Sequence, residues 1–126
     1  MNARTQHDRL RPTSELFRRA GDIPSTAVSP ERAAGDGIAC RLLMVTEDMQ
    51  CSEISWRKGE REKPRSNGDH STIGCLVSGK LKLTIGDETF VASPGDAWMV
   101  PQGVVHQAEA LEDASGLEVK APAYPS

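Results

Sequence analysis

Gly95-Asp96-Ala97-Trp98-Met99-Val100-Pro101-Gln102-Gly103-Val104-Val105-His106 is the stretch on which the reading of this chain turns. Gly95-Asp96 makes a turn that launches a short apolar strand. Pro101 and Gly103 stop that strand in a tight turn, and Val104-Val105-His106 begins the next one. An imidazole placed early on a strand among apolar neighbours points into whatever the sheet encloses. β-Barrels present single polar groups to a ligand cavity in this way.

Outward from this stretch the same texture continues. Strands are expected over 38–46 and 49–56 with Glu47-Asp48 as their hairpin, then over 70–78, 80–85, 89–92, 97–100, 104–110 and 116–120. Lys80-Leu81-Lys82-Leu83-Thr84-Ile85 alternates polar and apolar, the period of a half-buried strand. Ser78-Gly79, Gly86-Asp87 and Pro94-Gly95-Asp96 supply the turns between strands. Residues 57–68 are highly charged and read as a loop, in which Glu60-Arg61-Glu62-Lys63 is expected to be a solvated face. Thr13 to Gly21 is either one or two helical turns or an edge strand, and Pro24, Pro30, Gly35 and Gly37 punctuate a linker-like stretch. Many short strands with few helix signals mean an all-β sandwich or barrel.

The chain has 126 residues and a formal net charge of -3, which suits one domain and gives no electrostatic case for nucleic acid or an anionic membrane. Arg4, Arg9, Arg11, Arg18 and Arg19 gather near the start without an aromatic ladder, so they read as a solvated tail. No apolar stretch approaches the roughly 18 residues that span a bilayer, and the first residues lack a signal-peptide core. Cys40, Cys51 and Cys75 lack metal-type spacing, and buried reduced thiols in a cytoplasmic protein are the expectation.

Gly95, Pro101, Gly103 and His106 resemble the second conserved motif of the cupin superfamily, Gly-x5-Pro-x-Gly-x2-His-x3-Asn, with Ala110 in place of its final asparagine. From about Trp56 to Pro122 the chain is similar to a small single-domain cupin. Ile73 to Leu81, Ser93-Pro94-Gly95-Asp96 and Leu117 to Pro122 carry the rest of the likeness. The resemblance implies a double-stranded β-helix, the cupin jelly-roll barrel, over 37–122. A polar N-terminal extension over 1–36 is expected to be partly disordered or to pack on a partner subunit, with 123–126 as a C-terminal tail.

The resemblance also implies one divalent transition metal (iron, manganese, nickel, copper or zinc), held by three histidines and one acidic or amide residue. Aligned backward from Gly79, the acidic or amide position falls on Thr72 and the two first-motif histidines fall on Arg65-Ser66-Asn67-Gly68. Asn67-Gly68-Asp69-His70 nevertheless resembles a variant first motif, His-Gly-Asp-His. Residues two apart on a strand share a face, so His70 and Thr72 should both point inward, toward His106. The remaining ligand set is His106, His70 and Asn67, weakly holding, with Asp69 or Glu53 as the candidate carboxylate.

Three readings are open at this point: a metal site with substituted ligands, a metal-free enzyme in which His106 and His70 exchange protons with a carbonyl substrate, and a binding barrel that has lost its metal site. Small bacterial cupins of this kind act on carbohydrate-derived or polyketide-derived carbonyl compounds, and one branch ketonises unsaturated uronates from pectin. The resemblance therefore implies an isomerase, lyase or cyclase that moves a proton next to a carbonyl, with a non-catalytic binding protein as the alternative. His106 and His70 are the candidate catalytic residues, and Arg65, Thr72 and Trp98 the candidate substrate contacts. Arg57, Lys58 and Arg65 flank the expected cavity mouth and favour an acidic small molecule. Trp56 and Trp98 are expected in the core or at the barrel rim. A homodimer is expected, with the N-terminal segment covering a sheet edge.

Overall fold

The computed structural model describes residues 10–123. His7, Arg4, Arg9 and Tyr124 lie outside the described residues. The described residues form nine strands: β1 Thr26–Ala27, β2 Ile38–Val45, β3 Gln50–Trp56, β4 Ser71–Ser78, β5 Leu81–Ile85, β6 Glu88–Ala92, β7 Ala97–Val100, β8 His106–Ala110 and β9 Ala114–Ala121. They make a six-stranded sheet in the order β1-β2-β3-β9-β4-β7 and a three-stranded sheet in the order β6-β5-β8, with every pairing antiparallel. The two sheets face each other as a double-stranded β-helix. Gly95 and Gly103 sit at φ values of 94° and 83°, the left-handed region that glycine enters without a Cβ penalty. The turns around the motif therefore form as its sequence requires.

Strand pleating decides what fills the barrel, because alternate residues face opposite sides. Three inward rows run in register across the large sheet. The first is Ile54, Gly116 and Leu76; the second is Ser52, Glu118, Gly74 and Trp98; the third is Gln50, Lys120, Thr72 and Val100. The barrel is thus apolar at one end and polar at the other. Trp56, Ile54, Leu76 and Leu81 are fully buried at the apolar end, where each such side chain contributes roughly 1.5–3 kcal/mol. A methyl group on Gly74 would overlap the indole of Trp98, so this glycine lets the indole lie against the sheet.

The charged stretch between β3 and β4 is a loop by secondary structure but follows β8 closely. Gly59 N and Glu62 N donate to Ala110 O and Ala108 O at 2.8 Å each, and Arg65 and His106 exchange both backbone hydrogen bonds. This register turns Glu62 inward. It is buried, which corrects the expectation that Glu60-Arg61-Glu62-Lys63 is a solvated face; Arg61 and Lys63 are exposed and Glu60 is half-buried.

Residues 13–21 form neither a regular helix nor a strand. They contain one 3-10 turn at Ala20–Asp22, and the segment is tied to β2 by Thr13 N to Val45 O at 3.0 Å and by Arg18 to the carbonyls of Leu42 and Leu43. The segment expected to be an extension up to residue 36 joins the barrel from Thr26 onward. Thr26 and Ala27 pair with β2, Val28 and Ala33 are buried, and Lys63 N donates to Arg32 O at 2.7 Å. Among the cysteines only Cys40 is buried; Cys51 and Cys75 are half-buried on the outer face, and none is in a disulfide. Among the described residues no helix is long and apolar enough to cross a membrane.

Candidate functional site

The polar end of the barrel is organised by one arginine. Arg32 forks onto Glu118, with Nη1 to Oε1 at 2.9 Å and Nη2 to Oε2 at 2.8 Å, and its Nε donates to Glu62 Oε2 at 2.9 Å. Glu62 also accepts from Trp56 Nε1 at 3.0 Å, Arg65 Nη1 at 2.9 Å and the Ala108 amide at 3.1 Å. Burial alone would neutralise these carboxylates. Arg32 outweighs that burial and holds the Glu118 pKa down at about 2; Arg32 and Arg65 hold Glu62 below its usual range. Burial works against the Arg32 charge as well, but Glu118 and Glu62 outweigh it and raise the guanidinium pKa.

Beside this cluster, His106, Arg65, Thr72 and Trp98 line a small pocket together with Glu62 and Glu118. The motif turn places His106 at the first residue of β8, paired with Ile85 on one side and Arg65 on the other. Its Nδ1 lies 3.0 Å from Val104 O. A carbonyl oxygen only accepts, so Nδ1 carries the hydrogen and the Nε2 lone pair is left as a base. Burial lowers the His106 pKa, and Arg65 and Arg32 add to the effect against opposing contributions from Val104 O and Glu62. The imidazole is therefore neutral at pH 7. Among the described residues, Thr72 Oγ1 and Trp98 Nε1 make no hydrogen bond; both residues line the pocket, with the indole edge against Gly74.

The structure groups four of the sequence-derived candidates, His106, Arg65, Thr72 and Trp98, around one pocket. His70 is buried at the head of β4 but is absent from that pocket's lining. Its Nδ1 bonds Asp69 Oδ1 at 2.8 Å, and burial lowers its pKa, with Lys120 and Arg65 adding to the effect. Asn67 contributes its backbone carbonyl to Gly103 N at 2.7 Å, tying the loop to the motif turn. Glu53 lies on the outer face in an ion pair with Arg41 at 2.8 Å, so it cannot be the interior carboxylate that the sequence left as a candidate. Arg57 and Lys58 are exposed and do not line the pocket.

Four interior residues went unnoticed as site components in the sequence: Arg32, Glu62, Glu118 and Lys120. Lys120 is buried without an ion pair among the described residues. Burial brings its pKa down to about 8, against the pull of Glu118. Opposite it on β3, Gln50 keeps a buried Oε1 with no hydrogen-bond partner among the described residues. Arg32, Arg65 and Lys120 face two carboxylates, Glu62 and Glu118, which leaves the interior with a surplus of one positive charge.

A family model described as a cupin domain matches residues 53–119. The chain belongs to the cupin family. This cupin is 26% identical over 89 residues to the pectin degradation protein KdgF of Dickeya dadantii strain 3937, covering 71% of this chain and 81% of that one. Its fold matches KdgF from Halomonas sp. with a TM-score of 0.76 at 25% identity, covering 86% of this chain and 94% of that one. An RmlC-like cupin from Shewanella frigidimarina NCIMB 400 superposes with a TM-score of 0.78 at 20% identity over 90% of this chain and 96% of that one.

The residues of this cupin do not fit the divalent metal that the family resemblance implies. Among the described residues no group of three or more His, Cys, Asp or Glu side chains is arranged to hold an ion. Around His106 the neighbours are instead the Arg65 guanidinium and Thr72, and both interior carboxylates are already bound by Arg32. A divalent cation there would face the surplus positive charge without a carboxylate free to neutralise it.

Proposed function

We propose that this cupin is a metal-independent enzyme that moves a proton next to a carbonyl in an acidic small molecule, of the isomerase, lyase or cyclase type, with a sugar acid or polyketide-like acid as substrate. The observation that carries the proposal is His106: its Nδ1 is held by Val104 O, burial favours its neutral form, and it shares the pocket lining with Arg65. His106 Nε2 takes the proton from the carbon next to the carbonyl, and the electron pair moves onto the carbonyl oxygen. Arg65, Thr72 and Trp98 donate hydrogen bonds to the resulting oxyanion. His106 then returns the proton at the new position. The substrate carboxylate compensates the surplus interior charge. His70, held by Asp69 and outside the lining of this pocket, takes no step in this scheme. The likeness to KdgF supports an acid derived from pectin as the first substrate to try.

Unsaturated galacturonate released from pectin tests the proposal by proton NMR in heavy water. In its ring-opened enol form this substrate gives His106 Nε2 the enol hydroxyl proton and takes it back at the neighbouring carbon, so loss of the alkene signal with deuterium gained next to the new carbonyl is the expected result. His106→Ala should slow this by about 10²–10⁴-fold. Because the His106 pKa lies below its ordinary value of 6.5, the rate should hold down to mildly acidic pH and fall only when the imidazole protonates. An unchanged rate in His106→Ala would sink the mechanism. The enclosed pocket has a volume of only about 20 Å³, room for about one water, which favours a second reading: a non-catalytic binding protein. Arg65-dependent binding without turnover would decide for it.

A homodimer belongs to the same proposal. The outer row Cys51, Val119, Ile73 and Met99 presents apolar side chains to solvent across four strands, a surface suited to a second copy.

A further inference from the structure

The pocket around His106 is too small for a whole sugar acid, yet it is not isolated. Leu83, Ile85 and Trp98 line both this pocket and an open cleft of about 700 Å³. That cleft lies where the barrel is not closed by hydrogen bonds, between β6 and β7, which are the edge strands of the two sheets. A cleft of this volume is of the size that holds a small organic molecule.

Its walls are apolar. Phe90 stands directly opposite Leu83 on the inner face of the small sheet, Pro101 and Val104 lie beside it in the cleft, and Val91 and Met99 border the cleft from the outer faces of their strands. Phe90 is 47% exposed, a large apolar area left uncovered beside the polar pocket. The charged groups in the cleft are acidic: Asp87, Glu88 and Asp96. A second carboxylate would be repelled there, and the uncovered Phe90 ring gains most from covering by an apolar body. The small pocket that adjoins the cleft contains one cation in its lining, Arg65.

We infer that the substrate is a carbonyl-bearing monocarboxylic acid with an apolar body, its polar head in the Arg65–His106 pocket and its body in the cleft between β6 and β7. This rests on the reading of that pocket as an acid-binding site. It chooses between the two substrate classes left open above, in favour of the polyketide-like or aromatic acid over the sugar acid.

Calorimetric titration of the full chain with three probes separates the two ideas: phenylpyruvate carries head and apolar body, pyruvate the head alone, and galacturonate a hydrophilic body. Phenylpyruvate should bind at least about tenfold more tightly than either of the others. Phe90→Ser, at an exposed site where folding is tolerated, should remove most of that advantage and leave pyruvate unaffected. Arg65→Gln should weaken all three acids. If the acids bind through Arg65 but galacturonate equals or exceeds phenylpyruvate, the apolar-body inference fails and the acid site stands. If no acid binds, both fail. If Phe90→Ser changes the size-exclusion profile and no affinity, the cleft is a subunit contact and the inference fails as well.

Discussion

Two groups of polar side chains sit within one barrel interior and are built on opposite principles. Around Arg32 every strong donor meets an acceptor: both oxygens of Glu118 are taken by one guanidinium, and Glu62 is held by Arg32, Trp56, Arg65 and the Ala108 amide. Around His106 the donors and the base are left over: Nε2 of His106, Oγ1 of Thr72 and Nε1 of Trp98 have no hydrogen-bond partner among the described residues, and all three residues line a pocket. The first arrangement fixes structure, because a buried charge network is stable only when each member is paired. The second stores unspent hydrogen-bonding capacity, as a site that must receive a ligand does. Arg65 belongs to both, as a fourth donor to Glu62 and as the cation of the pocket.

Arg32→Met should break the first region outright. It leaves Glu62 and Glu118 buried without their main partner, and urea unfolding should show a loss of about 3–5 kcal/mol. A loss below about 1 kcal/mol would mean the network is not structural. Lys120 gives a smaller effect of opposite sign. Its folded-state pKa, about 8, lies below the ordinary lysine value of 10.5, so between those values the unfolded chain binds the extra proton. Stability should therefore rise as pH increases from 8 to 10.5, and Lys120→Met should flatten that rise. The smallest effect belongs to the shared residue. In Arg65→Gln, Glu62 keeps Arg32, Trp56 and Ala108, so the stability cost should be well below that of Arg32→Met while acid binding suffers. A cost as large as that of Arg32→Met would erase the distinction between the two regions.

The fold and part of the pocket were legible in the sequence because they depend on local chemistry. Turn glycines, the proline stop and short-range alternation define the strands around His106, and strand parity places Thr72 inward. The Arg32 network depends on contacts that no local pattern announces. Arg32 lies in a stretch punctuated by Pro30 and Gly35, and Glu62 in a run of alternating charges, so both read as solvent-facing. In β9 the alternation is present but inverted: Glu118 and Lys120 face inward while Leu117 and Val119 face out. Period two states that neighbours lie on opposite faces and is silent about which face is the core. The signal that was available was Gly116, which shares the face of Glu118 and Lys120 and makes room against Trp56 and the backbone of Cys75.

The placement of β9 also governs when the barrel can exist during synthesis. It is the last of the described strands to be made, yet it lies between β3 and β4 and pairs with both along most of its length. Until it emerges, the large sheet is two separate fragments, with Arg32 and Glu62 present and Glu118 missing from their charge balance. Closure of such distant pairings bears a loop entropy that nearby hairpins do not. The newly made chain must therefore wait, with its strand edges open, for the segment that completes the sheet and the ion network in one event.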